Sequence, residues 1–150
     1  MKERSVDQID TIVIHHSASD FGNFDEIDNW HKAKGWDMCG YNSIILNCYP
    51  TQESFLKRMP DVNSDGQEEE GRDIKYIPAG VRGHNAHTVH ICLIGNRTYK
   101  SAQLITLRTI VEYYRGFIPS IRKVVQHSDL DDRKSQCAGL SSKFLKELLV

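Results

Sequence analysis

Thr11-Ile12-Val13-Ile14-His15-His16-Ser17-Ala18-Ser19-Asp20 is the stretch that decides the fold. Its first part is a continuous β-branched run and its last part is small and polar, which reads as a buried strand opening into a loop. Asn23 can cap the helix that follows. Phe24, Ile27 and Trp30-His31 recur there at helical spacing, and Gly35 sits where a residue just past a helix end belongs. A second strand is expected within Tyr41 to Asn47, around Ser43-Ile44-Ile45-Leu46. Pro50 to Asp61 mixes polar and apolar residues between two prolines and reads as an insertion or lid-like loop. Asn63-Ser64-Asp65-Gly66 is a hairpin-turn signal, with Gln67 to Gly71 returning and Glu68-Glu69-Glu70 as a solvated edge.

Further along, a glycine-containing loop from Pro78 to Asn85 precedes Thr88 to Ile94, the clearest central strand, which Gly95-Asn96 ends. Ser101 can cap a helix carrying Leu104, Leu107, Ile110, Val111 and Tyr114 on one face, and Gly116 can end it. Lys123 to His127 reads as a short strand running into a polar loop. Ser141 or Ser142 starts a last helix with Phe144, Leu145, Leu148 and Leu149. Strands and helices alternate, so the expected fold is α/β, a mixed central β-sheet flanked by helices, in one domain over residues 1–150.

Composition excludes several function classes. The hydrophobic fraction is 39% and the charged fraction 26%, ordinary globular usage. A net charge of −1, from 19 basic and 20 acidic residues with no basic stripe, argues against a nucleic-acid partner. The apolar runs are far shorter than the roughly 18 residues that cross a bilayer. Met1 to Asp7 has no apolar segment behind its charges, as a secretory signal would. Cys39, Cys48, Cys92 and Cys137 form no CxxC pair and no dense spacing, so a disulfide framework is not expected. The expectation is a chain that is cytoplasmic as synthesised, without membrane partner, and monomeric.

Two histidines stand at expected strand ends, His15 (beside His16) and His127, and Cys137 follows His127 in the loop before the last helix. Strand ends that open into loops are where sheet proteins place ligands and catalytic groups. Two imidazoles and a thiolate suit zinc, and three protein ligands leave one position for water. Spacing alone leaves a second reading open: polar residues at strand ends and a buried thiol.

Ile12-Val13-Ile14-His15-His16-Ser17-Ala18-Ser19 resembles the opening strand of the zinc-dependent N-acetylmuramoyl-L-alanine amidases, a family that includes phage endolysins and is similar to peptidoglycan recognition proteins. Trp30-His31, Gly35-Trp36 and Gly40-Tyr41-Asn42 resemble its "WH…GW…GYH" segment, and Gly71-Arg72 its "GR" hairpin. Gly83-His84-Asn85 and Thr88 to Gly95 resemble "GHN…SIGICLVG"; Gln126 to Leu130 resembles "GHRDL" and Cys137-Ala138-Gly139 resembles "CPG". The six pieces occur in order, which makes the resemblance specific.

That resemblance implies a zinc hydrolase that cleaves the amide between N-acetylmuramic acid and L-alanine of peptidoglycan, with His15, His127 and Cys137 as ligands. It implies Tyr41 as the active-site tyrosine, assisted by Lys134 or Ser135. It places Asn85, with His84 of the same segment, beside the substrate. Arg82 could meet a stem-peptide carboxylate or be a solvated surface arginine. His16 would support the site or be a core histidine. Ala138 stands where the family has Pro, and Cys92 where some members have a Glu base. His90, on the same strand face as Cys92, is then a substitute base or a packed, hydrogen-bonded residue. The competing functions are a non-catalytic peptidoglycan-binding module, a structural-zinc or metal-free interaction domain, and a cysteine peptidase using Cys137 or Cys92. The expected setting is action on the cell wall after release, by phage lysis or effector delivery.

Overall fold

The structure is a computed structural model that describes residues 1–149. β1 (Thr11–His16), β2 (Ser43–Ile45), β3 (Glu68–Glu70), β4 (Thr88–Leu93) and β5 (Lys123–Gln126) form one sheet in the order β3-β2-β4-β1-β5. β1 runs parallel to both β4 and β5, and β2 runs parallel to β4. Only β3 is antiparallel, at the edge beside β2. The sheet is mixed and flanked by helices, as its sequence pattern implies. Its two central strands are buried along almost their whole length, the pattern of strands covered on both faces. The three glutamates of β3 blunt an edge that would otherwise offer free backbone groups to another chain.

Side-chain alternation divides the strands between two faces. Ile12 and Ile14 of β1, Val89, Ile91 and Leu93 of β4, and Val124 of β5 form the main core. Over them lie α3 (Ser101–Phe117), through Leu107, Ile110, Val111 and Tyr114, and α5 (Ser142–Glu147), through Leu145. The opposite face carries Val13, His15, His90 and Cys92. There a smaller apolar cluster gathers Ile44, Leu46, Cys92 and Ile94 around Ile27 of α1 (Phe24–Ala33). Replacing the fully buried Leu107 by Ala should cost about 2–5 kcal/mol in urea unfolding, because the sheet beneath it cannot collapse into the space.

α1 begins as its sequence implies. Asn23 Oδ1 accepts from the Glu26 amide at 2.9 Å, and Gly35 takes a positive φ just beyond the helix end. Three elements depart from expectation. Lys100, not Ser101, is the cap residue of α3; the Gln103 side chain accepts from the Lys100 amide (3.1 Å) and donates to the Ile94 carbonyl (2.8 Å), tying the helix start to the end of β4. The helix also continues through Gly116 to Phe117. Pro50 to Asp61 is not a loop throughout. It holds α2 (Gln52–Leu56), capped by Thr51, and Phe55 of that helix packs on Phe21 and Tyr49, so the segment is anchored away from the histidines. His127 lies just beyond β5 as the first residue of α4 (His127–Leu130). All four cysteines are free thiols.

Candidate metal centre

Register brings the two histidines together. Ile14 pairs with Gln126, so the residues that follow them, His15 of β1 and His127 just beyond β5, meet on one face with ring centroids 4.7 Å apart. The chain returns through α4 and a 3-10 turn at Asp132–Lys134 to deliver Cys137 beneath them. The ligand atoms of His15, His127 and Cys137 all lie within 4.8 Å of one another, and all three residues are buried. His16 alternates to the other face. Its backbone amide donates to Cys137 Sγ at 3.3 Å, while its imidazole lines a neighbouring depression with Arg97, Ser135 and Cys137.

Gln126 fixes the cysteine loop. Its Oε1 accepts from the Ala138 and Leu140 amides (3.1 and 3.0 Å), and its Nε2 donates to the Leu140 carbonyl (2.9 Å). The Ser128 amide donates to the Cys137 carbonyl (2.7 Å), and the Tyr99 hydroxyl donates to the Ala138 carbonyl. The Cys137–Ala138 peptide is cis, at the position where the family pattern has Pro. Gln126→Leu leaves two amides without acceptors. It should lower stability by about 2–4 kcal/mol and loosen the sulfur, read by thermal unfolding and by zinc uptake.

The donor set fits a zinc-like cation. His15 is fully buried, and its Nδ1 has no hydrogen-bond partner. A buried polar atom without a partner calls for an explanation, and a bound ion is one. Burial holds His15 well below the usual imidazole range, and burial is also the main cause that lowers His127. Both rings are therefore neutral and offer a lone pair. Burial pushes the Cys137 thiol up to about 11, so it is not a free nucleophilic thiolate, and no hydrogen bond joins its sulfur to either imidazole. Two imidazoles and a sulfur are the ligands that zinc prefers.

Beside the cluster opens a cleft of about 450 Å³, lined by Tyr41, Gly80, Asn85, His127 and Lys134 among others. Tyr41 lies with its ring 4.8 Å from that of His15, and burial pushes its hydroxyl well above the usual phenol range, which keeps it a proton donor. His31 and Arg72 hold the segment around it. His31 Nδ1 accepts from the Gly40 amide (2.8 Å), and the Arg72 guanidinium donates to the Cys39, Met38 and Ile77 carbonyls. Gly40 has no space for a side chain, since a Cβ would stand 2.0 Å from the Ala79 carbonyl oxygen. Asn85 Oδ1 accepts from the Gly80 and Val81 amides (3.0 and 2.9 Å), so this residue shapes the cleft wall as well as lining it.

The remaining candidates divide. Arg82 and Lys134 line the cleft with Lys34 and Arg133, against the single carboxylate of Asp131, which pairs with Arg133 at 3.1 Å. Ser135 lines the depression on the His16 side instead. His84 stands at the start of the 3-10 turn Asn85–His87, its ring 5.8 Å from His87 and its carbonyl bonded by Thr88 Oγ1. His31, Trp36, Gly80 and Gln126 also border or brace the cleft and the cysteine loop. The sequence offers Trp30-His31 and Gly35-Trp36 only as a segment, Gly80 only as a loop glycine, and gives no functional signal for Gln126.

Comparison with known proteins shows the family and the fold. The model of the family described as N-acetylmuramoyl-L-alanine amidase matches residues 5–139. The endolysin of Escherichia phage T7 is 30% identical, over 73% of this chain and 71% of that protein. The N-acetylmuramoyl-L-alanine amidase LysC from Clostridium intestinale URNW shares the fold with a TM-score of 0.75 at 23% identity, covering 96% of this chain and 85% of that one. Peptidoglycan recognition protein-LE, solved with tracheal cytotoxin, shares it with a TM-score of 0.69 at 18% identity, over 94% of this chain and 79% of that one. The chain therefore belongs to the N-acetylmuramoyl-L-alanine amidase family, together with phage endolysins.

Proposed function

We propose that this chain is a zinc-dependent hydrolase that cuts the amide between the lactyl group of N-acetylmuramic acid and the L-alanine of the peptidoglycan stem. The observation that carries the reading is the buried His15, His127 and Cys137 cluster at the wall of a cleft that also holds Tyr41. His15, through Nδ1, with His127 and Cys137 would hold the zinc. When bound, zinc supplies a Lewis acid and a water acidic enough to lose its proton near neutral pH.

The chain's own residues supply the rest. Tyr41 keeps its proton and donates it as a hydrogen bond to the oxygen of the scissile carbonyl as negative charge develops there. Lys134, at the same cleft, is the second donor to that charge and can protonate the departing amine. Ser135 lines the depression on the His16 side and does not face this cleft. Arg82 and Lys34 favour an anionic ligand, and the stem-peptide carboxylates provide one. Asn85 holds the loop against which the peptide lies, and His84 borders it. The similarity to a phage endolysin supports release during lysis as the setting.

The test is digestion of intact peptidoglycan by the purified protein, followed by assay of new L-alanine amino termini. Release that a chelator stops and zinc restores supports the reading. Binding to the wall without release makes the protein a recognition module. Loss of activity to iodoacetamide in the zinc-loaded enzyme, with no effect of chelators, points to a cysteine nucleophile and overturns it.

A further inference from the structure

A chain of hydrogen bonds runs behind the metal cluster. Thr88 Oγ1 lies 2.8 Å from the His84 carbonyl oxygen, which can only accept, so the one hydroxyl proton points there. The same oxygen lies 2.8 Å from His90 Nε2 and must accept from it. His90 therefore carries its proton on Nε2, and its Nδ1 is a bare acceptor. His15 Nε2 lies 2.6 Å from that Nδ1, so the proton between them belongs to His15 Nε2. Both rings are fully buried and neither bonds a carboxylate, so each holds a single proton. His15 Nδ1 is thereby left with its lone pair, and it is the nitrogen that has no hydrogen-bond partner on the ring that clusters with His127 and Cys137. Gly80 seals the arrangement: a Cβ there would lie 2.4 Å from His90 Nδ1 and 3.0 Å from His15 Nε2, so the loop backbone packs directly on the bond between the rings.

We propose that Thr88 and His90 are positioning residues, which fix His15 in the tautomer that presents Nδ1 to a divalent cation such as zinc. The proposal rests on the metal reading above. His90 is accordingly not a general base, because both of its nitrogens are engaged within the protein and neither faces substrate. One hydroxyl proton on Thr88 sets the state of two imidazoles and, through them, of the ligand atom. Without that hydroxyl, His90 loses the acceptor for its Nε2 proton. It can then carry the proton on Nδ1, donate to His15 Nε2, and so drive the His15 proton onto Nδ1, where it blocks the cluster.

Two measurements test this. In metal-free protein labelled with ¹⁵N, long-range proton–nitrogen correlations read the tautomer of each ring directly. Protonation of both His15 and His90 at Nε2 is expected; protonation of His15 at Nδ1 overturns the proposal. Zinc affinity is then measured by competition with a chromophoric chelator. Thr88→Val, close to isosteric, should bind zinc about 10- to 100-fold more weakly, and Thr88→Ser, which keeps the hydroxyl, should bind as the wild type does. A Thr88→Val protein that binds zinc like the wild type overturns the proposal. If that variant folds poorly, the tautomers of the unsubstituted protein decide alone. A wild type that takes up no zinc overturns the metal reading itself, a result distinct from equal binding by wild type and variant.

Discussion

His127→Ala should abolish stoichiometric zinc uptake and lower peptidoglycan cleavage about a thousandfold or more, equivalent to about 4 kcal/mol of lost transition-state stabilisation. The fold should survive the change. His127 opens α4, and what it gives to that turn is backbone: its carbonyl accepts from the Asp131 amide, and alanine keeps this bond. Its ring sits at the wall of the cleft, not in the main apolar core beneath α3. Cys137→Ser should act in the same direction with less disturbance still, since Gln126 holds the loop and a serine hydroxyl can still accept from the His16 amide. A hydroxyl is a poorer zinc ligand than a thiolate, so this variant should retain weak uptake. Elemental analysis of the purified variants and a stem-release assay check both effects, with circular dichroism confirming the fold.

Tyr41→Phe should leave zinc content, fold and wall binding unchanged while lowering kcat about 100- to 1,000-fold, the usual loss when one oxyanion donor is removed. The ring packs between His15 and His31, with centroids 4.8 and 5.1 Å away, and phenylalanine preserves that packing. Only the hydroxyl goes. Because burial holds it well above the usual phenol range, it works as a donor across neutral and mildly alkaline pH and its own ionisation should not shape the pH profile there. An unchanged KM with a fallen kcat is the signature of a contact made only as charge develops. A fall in zinc content instead would mean that Tyr41 supports the ligands and does not meet the substrate.

Much of the fold is legible in the sequence because burial writes itself into composition. β1 and β4 are apolar runs in the chain and central strands in the sheet, and α1 announces both of its ends through Asn23 and Gly35. The start of α3 is not legible in that way, since its first turn is organised by Gln103 reaching to the Ile94 carbonyl, a contact no local pattern encodes. α2 hides between two prolines because it is a single capped turn. The site follows the same division. His15, His127 and Cys137 are nameable from the family pattern, yet their approach depends on the β1–β5 register. Gln126, His31, Arg72 and Gly80 act through backbone far away in sequence or through a close approach, and residue type alone does not disclose either. His90 is visible as a histidine on the central strand, but its bonds to Thr88 and His15 come only with the fold.

If the proposed function holds, the zinc held by His15, His127 and Cys137 is what makes the chain active. The most direct measurement is a titration: metal-free protein receives zinc stepwise, and the appearance of L-alanine amino termini from peptidoglycan is followed at each step. Activity should rise in proportion to zinc and stop rising at one equivalent per chain. Full activity in the metal-free protein, or none at any zinc level, would contradict it.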